Sequence, residues 1–191
     1  AEGNPLGFFG NEGSGEYQFN NPSDLLVDDD FNLFVCDSNN DRIQVFDKHT
    51  RFIRTIGCSG SENGQFRCPS GITFDRKNRL VVGDSNNRRV QVFDLNGNHL
   101  NTFDLSSIPA HSFHSGLKLA VDLRNRYFVL QRHQKKMTVL EDDGTLLHVF
   151  GNETDLPDVR INAYNDIFID HLNRLALTES RLATVTFFSF T

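Results

Sequence analysis

The chain has 191 residues and a formal net charge of -6. That length suffices for one domain with a sizeable core, and that charge excludes a global basic field able to hold nucleic acid, so any such binding needs a local patch. Hydrophobic residues make up 38%, Phe contributes 18 and Trp none, and with no run of 18 apolar residues no transmembrane helix is expected. No signal peptide is visible; the chain opens at Ala1 with Met137 as its only Met, which reads as an excised or processed piece of a larger protein.

A step of 47 residues relates Pro22, Pro69 and Gly116, and likewise Asp28, Asp75 and Asp122; one extra residue carries the step on to Asp170. Such a period points to stacked supersecondary units, here about 10–56, 57–103, 104–150 and 151–191. Ahead of them, Leu6–Phe9 aligns with Leu147–Phe150 and reads as an extra strand. In the first unit the alternation of apolar and polar residues predicts strands at Asp24–Asp28, Leu33–Asp37, Arg42–Phe46 and Phe52–Ile56. The second gives Gly71–Asp75, Leu80–Asp84, Arg89–Phe93 and His99–Phe103, and the third Leu117–Asp122, Tyr127–Leu130, Lys136–Leu140 and Leu146–Phe150. The fourth gives Asp166–Asp170, Arg174–Leu177 and Ala183–Phe188, and then stops.

Four short antiparallel strands per unit describe a propeller blade. The fold class is therefore all-β, a single β-propeller over residues 1–191, with four blades by sequence count. Strand 6–9 is expected to complete the last blade and close a four-bladed ring, which removes an exposed edge and leaves a monomer; the alternative is part of a six-bladed ring, or a ring that two copies complete. The inter-blade loops and the second-to-third strand turns share one rim. Phe19, Phe66 and Phe113 fall on one grid position and read as wedges between blades.

Units one and two carry Gly13-Ser14-Gly15-Glu16-Tyr17-Gln18-Phe19 with Pro22, and Ser61-Glu62-Asn63-Gly64-Gln65-Phe66 with Pro69. Each leads into a matched run, Asp37-Ser38-Asn39-Asn40-Asp41-Arg42-Ile43-Gln44-Val45-Phe46 and Asp84-Ser85-Asn86-Asn87-Arg88-Arg89-Val90-Gln91-Val92-Phe93. These runs resemble the NHL repeat family, with its G-x-G-x-x-G-Q-F-x-x-P lead-in and D-x-x-N-x-R-(I/V)-Q-V-F strand. Unit three departs from the pattern at Gln131-Arg132-His133-Gln134-Lys135-Lys136, and unit four keeps only Glu179-Ser180-Arg181. The resemblance implies a scaffold of the kind found in tripartite-motif proteins, which binds protein or RNA and usually has six blades.

The expected function is non-enzymatic recognition of a protein partner through the polarised rim. The alternative is RNA binding by the basic turns of blades two and three. Both place the binding residues at Arg88, Arg89, Arg132, His133, Lys135 and Lys136. No cofactor and no metal is expected. Asp24 and Asp166 at equivalent strand entries read as turn caps, and His111 and His114 sit close together without a matching carboxylate or Cys. With three cysteines, Cys36, Cys58 and Cys68, and no C-x-x-C pair, the sequence leans to a reducing, cytoplasmic setting without a Cys58–Cys68 disulfide.

Overall fold

One recurring turn cuts the chain into strands. In the first-to-second strand turn of unit two, Asp75 Oδ1 accepts hydrogen bonds from the N–H groups of Lys77 and Arg79, both at 2.9 Å, and Arg79 Nε donates to Oδ2 at 2.7 Å. Asn78 then takes the left-handed conformation at φ 56°. Asp122 and Asp170 build the same turn, and so do Asp47 and Asp94 between third and fourth strands. A short carboxylate that satisfies two turn N–H groups outcompetes strand continuation at that point, and the chain reverses.

The structure, a computed structural model, describes residues 7–108, 116–131, 136–151, 164–179 and 184–189. Two short segments, β1 (Asn11–Glu12) and β2 (Gln18–Phe19), pair in parallel within the first lead-in loop. Blade 1 follows as β3 (Pro22–Val27), β4 (Leu33–Asp37), β5 (Arg42–Phe46) and β6 (Phe52–Ile56). Blade 2 is β7 (Pro69–Phe74), β8 (Leu80–Asp84), β9 (Arg89–Phe93) and β10 (His99–Asp104). Blade 3 is β11 (Leu117–Val121), β12 (Tyr127–Gln131), β13 (Lys136–Leu140) and β14 (Leu146–Phe150). Blade 4 is β15 (Tyr164–Ile169), β16 (Arg174–Glu179) and β17 (Thr184–Ser189). Every blade is an antiparallel meander, four-stranded in blades 1 to 3 and three-stranded among the described residues of blade 4. The expected all-β propeller of antiparallel blades is what the chain forms.

The core consists of the contacts between blades. Phe34, Cys36, Ile43 and Val45 on the far face of blade 1 bury against Phe66, Ile72, Leu80, Val82 and Phe93 on the near face of blade 2. Val81, Val90 and Val92 of blade 2 meet Leu119, Val121, Tyr127 and Val129 of blade 3. Ala120, Phe128, Met137 and Val139 of blade 3 meet Ile167, Leu175 and Leu177 of blade 4. Alternation along each strand sends successive side chains to opposite interfaces, so central strands read as continuous apolar runs.

Two strand expectations need correction. The first strands of blades 1, 2 and 4 begin earlier than the sequence suggests, because each opens with a bulge, between Pro22 and Asp24, Pro69 and Gly71, and Tyr164 and Asp166. The bulge breaks the alternation that marks a strand. In blades 1 and 2 it turns a Ser hydroxyl toward the neighbouring blade: Ser23 Oγ donates to Ser70 O at 3.1 Å, and Leu117 N donates to Ser70 Oγ at 2.7 Å. The second correction concerns the expected strand 6–9, of which Leu6 lies outside the described residues. Gly7–Phe9 form no strand, and the Phe9 ring packs on Phe19 and Phe46 of the first blade.

Turn carboxylates make the fold acid-sensitive. The Arg51 guanidinium holds Asp47 below the ordinary carboxylate range, at about 2, while Asn98 lowers Asp94 and the Arg174 N–H lowers Asp170. Burial alone would raise Asp75, but hydrogen bonds from Arg79 and Tyr127 outweigh it and the net shift is downward. A carboxyl whose folded pKa is depressed contributes stability above its unfolded pKa, about 3.9, and loses it as pH falls through the folded value. The urea midpoint is expected to fall steeply below about pH 4 relative to pH 6. A midpoint unchanged at pH 3 would contradict the role given to these turns.

Candidate functional site

In blades 1 and 2 the matched run builds a socket that grips main chain. Asp84 is fully buried where β8 ends. Its Oδ1 accepts the Arg67 N–H at 2.7 Å, and its Oδ2 accepts from Asn87 at 2.8 Å and Arg89 Nε at 2.7 Å. Arg89, so anchored, donates to the carbonyls of Ser61, Glu62 and Gln65, each at 2.8 Å. Gln91 Nε2 donates to Gln65 O at 2.8 Å, and Gln91 Oε1 accepts the Gly64 N–H at 2.9 Å. Asp37, Arg42 and Gln44 repeat the arrangement on Gly15 O and Gln18 O. The motif is thus a receptor for a peptide backbone, filled in these blades by the chain's own lead-in loops. Gly57, at φ 79°, lets that loop begin: a Cβ there would run into the Phe66 ring.

Blade 3 keeps the socket's position and changes its contents. Gln131 pairs across the ladder with Lys136, as Asp84 does with Arg89, and Thr138 stands opposite Val129, as Gln91 stands opposite Val82. Gln131 is 2% exposed and Thr138 0%. Among the described residues, neither amide atom of Gln131 nor the hydroxyl of Thr138 has a hydrogen-bond partner. Buried polar groups are normally paired, because leaving one unpaired costs about 1–3 kcal/mol. A neutral amide and a hydroxyl offer both donors and acceptors, which matches a peptide backbone better than a phosphate.

The residues singled out from sequence fall in three places. Arg89 is buried and spent on Asp84 and three carbonyls. Arg88, in the left-handed conformation at φ 56°, donates to Ser106 O at 2.9 Å and Ile108 O at 3.3 Å. Lys136 opens β13 at the edge of the blade 3 socket. Arg132, His133 and Lys135 lie outside the described residues, as do His111, Phe113 and His114. Of the Phe wedges, Phe66 is buried against Phe93 with ring centroids 5.4 Å apart, and Phe19 lies 6.0 Å from Phe46.

At the axis Lys118 Nζ reaches across from blade 3 to Asp24 Oδ2 at 3.2 Å, passing Gly71, where a Cβ would strike the Leu117 carbonyl. Asp24 and Asp166 cap the N–H groups of Leu25 and Ile167 at 3.1 and 2.9 Å. The Cys36 thiol is pushed up to about 12 by burial, which makes it a packing residue. Burial also raises Asp84. Sequence reasoning marked the run from Gln131 to Lys136 as a departure, but it took its basic residues as the site, left Gln131 out and passed over Thr138. The signal was there: the 47-residue step sets Gln131 on Asp84 and Thr138 on Gln91.

A family model described as a 6-bladed beta-propeller, DUF5128, matches residues 12–152. No curated protein matches the chain. Among solved structures, catalytically inactive virginiamycin B lyase from Staphylococcus aureus, with quinupristin, superimposes with TM-score 0.65 at 13% identity, covering 94% of this chain and 57% of that one. The WD40 β-propeller domain of Doa1 gives TM-score 0.66 at 13% identity, over 91% of this chain and 53% of that one. A nidogen/laminin complex gives 0.60 at 17%, over 83% and 55%. The chain thus spans about half the length of these propellers, and at such identities the likeness is one of fold. It corrects the expectation of a non-enzymatic protein: a lyase shares this architecture, so the fold does not exclude catalysis.

The two sockets should respond oppositely to mutation. Arg89→Met strands the buried Asp84 carboxylate and is expected to cost about 3–5 kcal/mol in urea unfolding. Thr138→Val removes a buried hydroxyl that has no partner among the described residues and is expected to be neutral or slightly stabilising, within about 0.5 kcal/mol. A Thr138→Val loss above about 2 kcal/mol would show that the hydroxyl is already paired in the free chain.

Proposed function

We propose that this chain, which belongs to the DUF5128 family of 6-bladed β-propellers, is a recognition scaffold that binds an extended segment of a protein partner on the rim at blade 3. One observation carries the reading. The socket that grips main-chain carbonyls in blades 1 and 2 recurs in blade 3 with buried Gln131 and Thr138, whose polar atoms have no partner among the described residues. Lys136 borders it, and the adjoining Arg132, His133 and Lys135 would select the segment's side chains, with Arg88 on the neighbouring turn. The repeats are read as NHL-type because the D-x-x-N-x-R-x-Q pattern has a structural purpose here, the clamping of the lead-in loop. Three free cysteines fit a reducing, cytoplasmic location. Because Arg42 and Arg89 are consumed by Asp37 and Asp84, the rim has less cationic surface than its sequence suggests, which favours peptide over RNA.

Peptides selected from a random displayed library on the immobilised chain test this. The selected peptide is expected to lose at least tenfold in affinity, about 1.4 kcal/mol, in Gln131→Leu with Thr138→Val and in Arg132→Glu with Lys135→Glu, without loss of melting temperature. Unchanged peptide affinity in both variants would place the site elsewhere. Binding of mixed-sequence single-stranded RNA that weakens steeply with salt would favour the RNA reading instead.

A further inference from the structure

The lead-in loop of blade 3 is held differently from the other two, and the difference starts at its first residue. The 47-residue step sets Gly10, Gly57 and Asp104 on one position. In blades 1 and 2 that residue has a positive φ, 86° and 79°, and a Cβ there would strike the wedge rings of Phe19 and Phe66. Asp104 carries a side chain and does not take the left-handed conformation. It builds a turn instead, in which its carboxylate accepts the Ser106 N–H and the Ser106 hydroxyl, both at 2.7 Å. The third lead-in therefore leaves the path of the others at its outset.

The residues that follow exchange polar side chains for apolar ones. Asn11 and Cys58 stand at the position of Leu105, and Ser14 and Ser61 at that of Ile108. Those of blades 1 and 2 are all exposed. Leu105 and Ile108 are 0% and 3% exposed, in one cluster with Val81, Val90 and Val92 of blade 2 and Leu119 of blade 3. Burial of two aliphatic side chains anchors this stretch without help from a polar socket.

Its main chain is claimed by the preceding blade. Arg88 donates to Ser106 O and Ile108 O at 2.9 and 3.3 Å, and Arg88 O accepts the Leu105 N–H at 2.9 Å. In blade 2 the counterpart of Ile108 O is Ser61 O, and Arg89 of the same blade takes it. Asp41, the counterpart of Arg88 at nearly the same φ, 53° against 56°, has no side-chain donor for a carbonyl and accepts the Cys68 N–H at 2.7 Å. Loop and socket thus change together. Where the loop starts with Gly and exposed polar residues, Asp, Arg and Gln of its own blade grip it. Where it starts with Asp104, buries Leu105 and Ile108 and is clasped by Arg88, the socket holds Gln131 and Thr138 without partners among the described residues.

We propose that Arg88, Leu105 and Ile108 are positioning residues that hold the start of the third lead-in off the blade 3 socket and so keep that socket open for a partner's segment. The inference rests on the reading of the socket as a partner site. The chain's own main chain and the partner's compete for the same groups, and the grip of Arg88 and the two aliphatic anchors sets the fraction of chains whose socket is free. A partner's apparent affinity falls in proportion to that fraction.

Nuclear magnetic resonance of the free chain tests this in Arg88→Asp, which installs the blade 1 turn residue, and in Ile108→Ser, which installs the blade 2 loop residue. In both free variants the Gln131 side-chain amide protons are expected to move downfield and exchange more slowly, while those of Gln44 and Gln91 stay fixed. The library-selected peptide is expected to bind at least tenfold more weakly, about 1.4 kcal/mol, although Gln131, Lys136 and Thr138 are intact. A Gln131 amide that stays in place in both folded variants overturns the proposal, whatever the peptide does. A Gln131 shift with unchanged peptide affinity supports the positioning role and sinks the partner reading alone. A wild-type readout covers variants that fail to fold: the Leu105 N–H should be protected from hydrogen exchange equally in the free chain and at peptide saturation. Protection lost on binding overturns the proposal, because the loop would then have had to leave the socket.

Discussion

A blade of this chain is a small sheet with two apolar faces, and a sheet that is apolar on both sides cannot be stable alone. This constraint explains most of the architecture. Each blade must be covered twice, so the units stack face to face, and the core is divided among three interfaces instead of one central cluster. It also explains why the strands of different units look alike. They answer the same packing demand, down to the aromatic at the end of the third strand, Phe46 and Phe93, which lies against the lead-in Phe19 and Phe66.

The stacking leaves the loops between blades without secondary structure of their own, and the buried sockets compensate. A loop as irregular as Gly57–Cys68 exposes carbonyls that no strand satisfies. Arg89, anchored by Asp84, takes three of them at once. Arg suits this task because its fork presents several donors in fixed directions, and Asp84 prevents the guanidinium from being a lone buried cation. A device evolved to hold the chain's own backbone needs little alteration to hold another's. Replacing Asp84, Arg89 and Gln91 by Gln131, Lys136 and Thr138 removes the buried carboxylate that anchors the guanidinium and leaves a neutral amide and a hydroxyl beside a lysine, the set that the proposed function assigns to a partner's backbone.

Much of this was legible in the sequence, for a physical reason. Packing demands are periodic, and periodicity survives in composition: Leu33–Asp37, Leu80–Asp84 and Arg89–Phe93 have the bounds that alternation and turn residues gave them. The first strands were misjudged because a bulge interrupts the alternation at Ser23 and Ser70. The cationic site was overestimated because charge counting treats Arg89 as surface, whereas its charge is neutralised at 2.7 Å inside the rim. Gln131 was marked only as part of a departing turn, and Thr138 escaped notice, because neither residue type announces chemistry alone. Their meaning comes from the positions they occupy, which had to be seen filled in two blades before the third stood out. The lyase likeness was beyond sequence patterning altogether, since at 13% identity only backbone geometry is shared.

The side-chain amide of Gln131 offers the most direct view of the central claim, that blade 3 keeps a backbone-binding socket for a partner. Its two protons can be followed by nuclear magnetic resonance beside those of Gln44 and Gln91, which already donate to Gln18 O and Gln65 O at 2.7 and 2.8 Å. On addition of a library-selected peptide, the Gln131 amide protons should move downfield and exchange more slowly, while those of Gln44 and Gln91 stay fixed. A peptide that saturates the chain and leaves the Gln131 amide unchanged would contradict the account.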